Sequence, residues 1–437
     1  MIRAIYSLLF YLGIPIMLGR LLWRARQSPA YAQRIKERFA LFTPPTQTGG
    51  IWIHAVSVGE FIAALPLIKQ IQQHYTHLPI TITTTTPTGS QRVTEQLGES
   101  VFHVYYPYDT PDTVARFLTK IKPSLAIFIE TELWPNLFHA LRQRRIPLFI
   151  ANARLSARSM RGYQKLSKLT YDMLQNITLL AAQTEADANR FIHLGLNKSC
   201  IRITGSIKFD MHIPERLSEQ AQQLHANENT NRPVFIAAST HQGEDEIILT
   251  AFKKIRQYYS QLLLILVPRH PERFDTVASL CAQHGYQLSR RSHQQTITAQ
   301  TDIFLGDTMG ELLLFYACAD IAFVGGSLVK TGGHNILEPA ALGIPSITGP
   351  HMFNFTRIQY LMQQANATFV INNAEELTAQ VKTLLDDPAL RKTAGTRGKE
   401  VFLENRGALQ RQLQLVQLLL DEQPRHIDTQ HKYSLHT

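Results

Sequence analysis

The stretch 322–350, AFVGGSLVKTGGHNILEPAALGIPSITGP, limits the fold of this chain more than any other. The apolar run 321–324 reads as a buried parallel strand. Gly325, Gly326 and Ser327 break it, and Gly332 and Gly333 precede a helical pattern over about 334–342. Gly343 ends that helix, and 344–347 opens the next strand. Strand, glycine loop, helix and strand make a βαβ unit with a phosphate-binding turn in its usual place.

That order carries chemistry. Glycines let backbone approach a ligand, and N–H groups at a helix start favour an anion. Asn335 and Glu338 share one face of the first turns. A carboxylate there can accept from two ribose hydroxyls, and Asn335 can serve a base or sugar edge. The whole pattern predicts a bound nucleotide, with Gly325, Gly326, Ser327, Gly332 and Gly333 at its phosphate; the alternative is glycines that only turn the chain and a Glu338 that only complements the helix dipole.

The rest of the chain repeats the alternation. Apolar or β-branched runs at 51–55, 80–86, 101–106, 125–129, 148–151 and 179–182 are separated by helical stretches, and 201–209 closes the series. Regular alternation means a parallel sheet with helices on both faces. Glu60 follows the first run at a helix start. It either complements the helix dipole or takes a proton from a bound hydroxyl. Glu130 and Glu132 stand at the tip of the run 125–129, where two carboxylates are costly unless they pair or act. Residues 216–232 are polar and helix-prone, then rich in Asn and Pro, and read as a linker. A second series begins at 234–238, and its loop, Ser239 to Glu244, echoes Ser57 to Glu60. The run 262–267 leads into Pro268 and Arg269, either a phosphate clamp or a solvated turn. The run 302–305 leads through Met309, Gly310 and Glu311 into another helix.

With 437 residues and 44% hydrophobic content, two globular domains are expected. A net charge of +10 suits anionic partners, but no zinc finger, RNA-recognition motif or Lys/Arg tract points to nucleic acid. Cys200, Cys281 and Cys318 are scattered, as in a reducing compartment without disulfides or a zinc site. Residues 4–19 carry no charge, a run of about 16 against the roughly 20 that span a bilayer. Arg20, Arg24 and Arg26 follow, so the body faces the cytoplasm by the positive-inside rule. No small-residue cleavage site follows the run, so the segment reads as a retained anchor, either spanning or lying on the surface. Residues 31–39 read as a basic amphipathic helix at the membrane face.

These motifs together resemble the bacterial 3-deoxy-D-manno-octulosonic acid (Kdo) transferases. The resemblance rests on IWIHAVSVGE, IETELWPN, ANARLS, VPRHPERF, GDTMGEL and GGHNILEPA, and covers nearly the whole chain. It implies an α/β chain of the GT-B class, two Rossmann-like domains facing across a cleft. The expected layout is an anchor at 1–25, an acceptor domain at 26–215, a linker at 216–232, a donor domain with the C-terminal helices at 233–425, and a polar tail at 426–437. It further implies an inverting transfer from CMP-Kdo to the lipid A precursor, lipid IVA, at the cytoplasmic face of the inner membrane. Glu60 would be the general base, with Glu130 and Lys208 stabilising the transition state. Pro268, Arg269, Met309, Gly310, Glu311, Asn335, Ile336, Leu337 and Glu338 would bind CMP. Anionic lipids and the enzyme that supplies CMP-Kdo are implied partners. No Asp-x-Asp motif appears, and neither a cofactor nor a protein-bound metal is expected.

Other classes make different demands. An epimerase or another GT-B transferase would share the sheet order and the ribose glutamate without needing a basic anchor. An NAD-dependent oxidoreductase would need G-x-G-x-x-G after its first strand, which 52–60 lacks. A non-catalytic membrane scaffold would have no use for Glu60, the clamp and the ribose pair together.

Overall fold

The computed structural model describes residues 1–26, 28–225 and 232–421. The chain divides into two compact units, Met1–Asp210 with the chain from Arg406, and Met211–Asn405. Each is built on a seven-stranded sheet.

In the first unit the strands are β1 (Ile51–His54), β2 (Ile80–Thr84), β3 (Phe102–Tyr105), β4 (Leu125–Ile129), β5 (Leu148–Ala153), β6 (Leu179–Ala182) and β7 (Ile201–Ile203). Their order is β3-β2-β1-β4-β5-β6-β7, parallel at every pairing. The strands read as unbroken apolar runs because helices cover both faces. One face packs Trp52, Phe117, Phe128 and Phe138, the other Ile53, Phe61, Ile127 and Phe149. Trp52 is fully buried and donates its indole N–H to Thr83 Oγ1 at 2.9 Å, so its polar atom costs nothing.

The second unit holds β8 (Val234–Thr240), β9 (Leu263–Pro268), β10 (Leu288–Arg290), β11 (Ile303–Leu305), β12 (Ile321–Val324), β13 (Ser346–Thr348) and β14 (Thr368–Val370). The order is β10-β11-β9-β8-β12-β13-β14, again all parallel. Both sheets therefore reverse strand order once near the middle, between β1 and β4 and between β8 and β12. Ligands of doubly wound sheets bind at the carboxyl ends of strands beside such a reversal.

Three expectations are corrected. The last helix, Ala408–Asp421, belongs to the first unit, not with the donor domain. Its Leu413, Val416 and Leu419 complete the cluster around Ile51 and Phe61. Asp210 receives its first amides, Gly407 N at 2.6 Å and Leu409 N at 2.7 Å. The helix-prone start of the supposed linker does form a helix, Leu217–His225, but it belongs to the second unit, with Ala221 buried under its sheet; 226–231 and the tail 426–437 lie outside the described residues. The basic segment 31–39 forms two short 3-10 turns, not an amphipathic helix. Arg34 and Ala40 adopt left-handed backbone (φ 57° and 55°), which breaks helical continuity. Arg38 turns inward, donating to Thr85 O and lying 4.4 Å from the Tyr105 ring centroid.

The N-terminal helix, Ile2–Ala25, is long and apolar enough to cross a membrane by length and composition, with a mean hydropathy of 1.7. Arg3, Ser7 and Tyr11, spaced by four on one face, contact the first unit: Ser7 Oγ donates to Asn136 Oδ1 at 3.1 Å and Tyr11 to Asp112 at 2.5 Å. Leu8, Leu9, Leu12 and Ile16 are exposed.

Candidate active site

The first unit gathers its carboxylates at the strand reversal. Glu60 is the third residue of the helix Val58–His74, capped by Ser57. Its amide donates to Ser57 Oγ, Ser57 donates back at 3.3 Å, and Val56 N–H donates to Oε2 at 2.7 Å. This capping box fixes the carboxylate at the end of β1. The side chain stays half-buried. Burial, then the Glu130 charge, raise its pKa to about 8, with a smaller push from Glu132.

Glu130 follows β4 directly and has φ 62°, a left-handed conformation that costs a non-glycine residue energy and collects at functional sites. Its amide donates to Ala151 O at 2.9 Å. Lys208 Nζ lies 3.3 Å from Glu130 Oε1. Lys208 sits on the 3-10 turn Ile207–Phe209, and Ile207 N–H donates to Asn152 Oδ1 at 3.2 Å. Asn152 (φ 54°, fully buried) thus holds the turn that presents Lys208. Asn152 directly follows the apolar run 148–151, and its strained backbone shows only in three dimensions. Glu132 accepts from Trp134 Nε1 at 3.0 Å, and burial raises its pKa to about 7.

The second unit places the other predicted residues around its own reversal. Pro268 ends β9 and Arg269 follows, its amide on Thr240 O at 3.0 Å. The helix of the H-N-x-x-E-P motif is shorter than expected, Leu337–Ala341. Asn335 Oδ1 accepts the Leu337 amide at 3.2 Å, and its Nδ2 donates to Glu338 Oε1 at 3.3 Å. The Ile336 and Leu337 side chains are fully buried, so only their backbone can meet a ligand. Burial raises Glu338 to about 7, against the pull of Asn335 and then Arg269. Met309 is exposed, Gly310 has φ 90°, and Glu311 is held by Arg291 through three contacts of 2.5–3.1 Å.

The glycine loop after β12 does not offer the amides expected of it. Gly326, Ser327 and Leu328 donate to Glu244 at 2.7, 3.0 and 2.9 Å, and His241 N–H adds a fourth bond at 2.9 Å. Gly325 N–H goes to Ala238 O, and Gly333 N–H to Gly326 O. A buried carboxylate of the chain itself fills the anion nest. Gly325, Gly326 and Ser327 are therefore structural, and Gly333 closes the same loop. The echo of Ser57–Glu60 in this loop is real: both glutamates accept an amide from the loop that follows their strand, Glu60 from Val56 and Glu244 from His241. Glu60 keeps a partly open carboxylate, whereas Glu244 is sealed in.

Comparison with known proteins follows the two units. The family model described as 3-Deoxy-D-manno-octulosonic-acid transferase (kdotransferase) matches residues 33–211, and that of glycosyl transferases group 1 matches 217–401. A 3-deoxy-D-manno-octulosonic acid transferase of Haemophilus influenzae is 47% identical over 96% of this chain and 99% of its own. One from Bordetella pertussis is 33% identical over 94% and 98%. Among solved structures, the UDP-GlcNAc 2-epimerase of Neisseria meningitidis aligns with TM-score 0.56 and 14% identity over 84% of this chain and all of that one. MurG of Acinetobacter baumannii aligns with TM-score 0.54 and 14% identity over 85% and 99%. At that identity the likeness shows the GT-B fold alone.

Proposed function

The chain belongs to the 3-deoxy-D-manno-octulosonic acid transferase family, and from that premise we propose that it is an inverting transferase moving Kdo from CMP-Kdo to lipid IVA, with Glu60 as general base. It is a glycosyltransferase; the donor, acceptor and residue roles are our reading. The observation that carries the reading is Glu60, a half-buried carboxylate at the strand reversal with its pKa raised to about 8. General bases work best with a pKa near the working pH.

The acceptor hydroxyl attacks the anomeric carbon of Kdo, Glu60 takes its proton, and CMP leaves from the opposite face. Positive charge develops on the ring as in other glycosyl transfers. Glu130, held beside Lys208, supports that charge separation. Arg269 meets the departing phosphate, Asn335 and Glu338 the ribose, and the backbone of Met309–Glu311 the base. The protein needs no cofactor for this displacement in our reading.

For the anchor, the proposed setting is the cytoplasmic face of the inner membrane. The polar stripe Arg3–Ser7–Tyr11 is spent on the first unit, while Leu8, Leu9, Leu12 and Ile16 face outward. This division fits a helix lying in the interface of an anionic bilayer, from which an anionic acceptor is drawn.

Two tests follow. CMP is expected to raise the melting temperature, and UDP and NAD are not; equal shifts from UDP would reject the donor. Because Glu60 acts only when ionised, kcat/KM is expected to rise with pH and level off above about 8. It should fall about tenfold per unit below that point. A profile flat from pH 6 to 9 (about three units around the base) would remove Glu60 from the role.

A further inference from the structure

Three histidines meet at the carboxyl ends of adjacent strands in the second unit. His241 follows β8, His270 follows β9 by two residues, and His334 lies in the loop after β12. The His241 and His334 rings stack with centroids 5.1 Å apart, and their Nε2 atoms are 2.8 Å apart. His270 meets His241 edge-on at 5.2 Å. Gly326 makes the approach possible: a Cβ there would stand 2.9 Å from the His334 ring.

Such a cluster is electrostatically one-sided. An Nε2 pair at 2.8 Å shares one proton, because two imidazolium rings would repel at that distance. Arg269 and Arg273 are the cations that face it: burial, then Arg269, His241 and His270, hold His334 near 3, and His241 is lowered by burial, His270, Arg273 and Arg269. The nearby acids are already engaged. Asp245 is bonded to Thr240 Oγ1 at 2.7 Å and to Arg273, and Glu244 to four amides. Among the described residues no group of three His, Cys, Asp or Glu is arranged to hold a metal. The one N–H that the shared proton leaves free on the His241–His334 pair, with His270 and the arginines at the same strand reversal, matches an anionic oxygen ligand.

We propose that His241, His270 and His334 form, beside Arg269, an anion subsite for a charged oxygen group of the donor, its phosphodiester or the carboxylate of its sugar. This rests on the CMP-Kdo reading above, and it replaces the role that the glycine amides give up to Glu244. His334 and His241 are half-buried and His270 is exposed, so a ligand can reach all three.

The test uses the full chain and three probes: cytidine, cytidine 5′-methyl phosphate, whose diester keeps a single charge near neutral pH, and CMP-Kdo made in the assay. Affinities of the first two are measured by calorimetry, and KM for the third by transfer. His334→Ala and His270→Ala are compared with wild type, each checked by its melting temperature without ligand. If the subsite takes the phosphate, wild type prefers the methyl phosphate over cytidine by about tenfold or more, and the variants lose that preference while cytidine binding holds. If it takes the carboxylate, the methyl phosphate is unaffected and KM for CMP-Kdo rises about tenfold. Folded variants with every value unchanged overturn the proposal. Should His334→Ala fail to fold, exposed His270→Ala carries the same comparison. Wild type that binds neither cytidine compound overturns the donor reading itself, a failure visible before any histidine is changed.

Discussion

Glu60→Gln is expected to lose about 10²–10⁴-fold in kcat, the span of general-base catalysis, while still gaining thermal stability from CMP. Glutamine keeps the shape. Its carbonyl oxygen can still accept the Val56 amide that Glu60 accepts at 2.7 Å, so the capping box survives. With a pKa near 8, Glu60 is largely protonated at neutral pH, and the substitution removes little charge from the resting protein. What glutamine cannot do is accept a proton. The variant therefore separates chemistry from folding and from donor binding, which our reading assigns to the other unit. Transfer that stays within a few-fold of wild type would leave Glu60 a helix cap, and the search for the base would pass to Glu130.

Glu244→Ala is expected to unfold or severely destabilise the second unit. Its two oxygens accept the amides of His241, Gly326, Ser327 and Leu328 at 2.7–3.0 Å. Each buried amide left without a partner costs about 1–3 kcal/mol, so the loss reaches several kcal/mol before any gain from repacking. That is a large share of the roughly 5–15 kcal/mol that holds a domain together. Chemical denaturation checks it: the midpoint for the second unit should fall sharply, and CMP should no longer raise it. An unchanged midpoint would mean that water replaces the carboxylate and that the nest is an open anion site. Glu244→Gln should fall between, since its amide offers only one acceptor oxygen.

Much of this was readable beforehand, and for a physical reason. Parallel strands covered on both faces must be apolar throughout, so Leu125–Ile129 and Ile321–Val324 declare themselves without neighbours. The strands that escaped notice, Leu288–Arg290 and Thr368–Val370, are the two edges of the second sheet, three residues each and partly exposed. Their short, mixed sequences carry no strand signal. Leucines recur through 409–420 with a helical period, but that period does not give the helix its destination. Nothing in Leu413 or Val416 says which core they enter, and Asp210, which binds its first amides, lies far back in the chain. The same separation hid the occupant of the glycine loop. Gly325–Ser327 has the sequence of a phosphate nest, and only the fold brings Glu244 into it. Glu60, Glu130 and Arg269 stand in motifs and Lys208 follows only from the family resemblance, and the structure places each at the carboxyl end of the sheets, beside β1, β4, β9 and β7 in turn. What local sequence could not reveal was the support beneath them, such as Asn152 under Lys208.

The central claim is the reaction, and the most direct measurement is of its product. Purified full-length protein in detergent is given lipid IVA with CMP-Kdo generated in the same tube, and the lipid is analysed by mass spectrometry and by the configuration of the new linkage. The account predicts lipid IVA carrying at least one Kdo with inverted anomeric configuration, formed with release of CMP and absent when CMP-Kdo is omitted or replaced by a UDP-sugar. Unmodified lipid IVA after full consumption of CMP-Kdo, or a linkage that retains the donor's configuration, would contradict it.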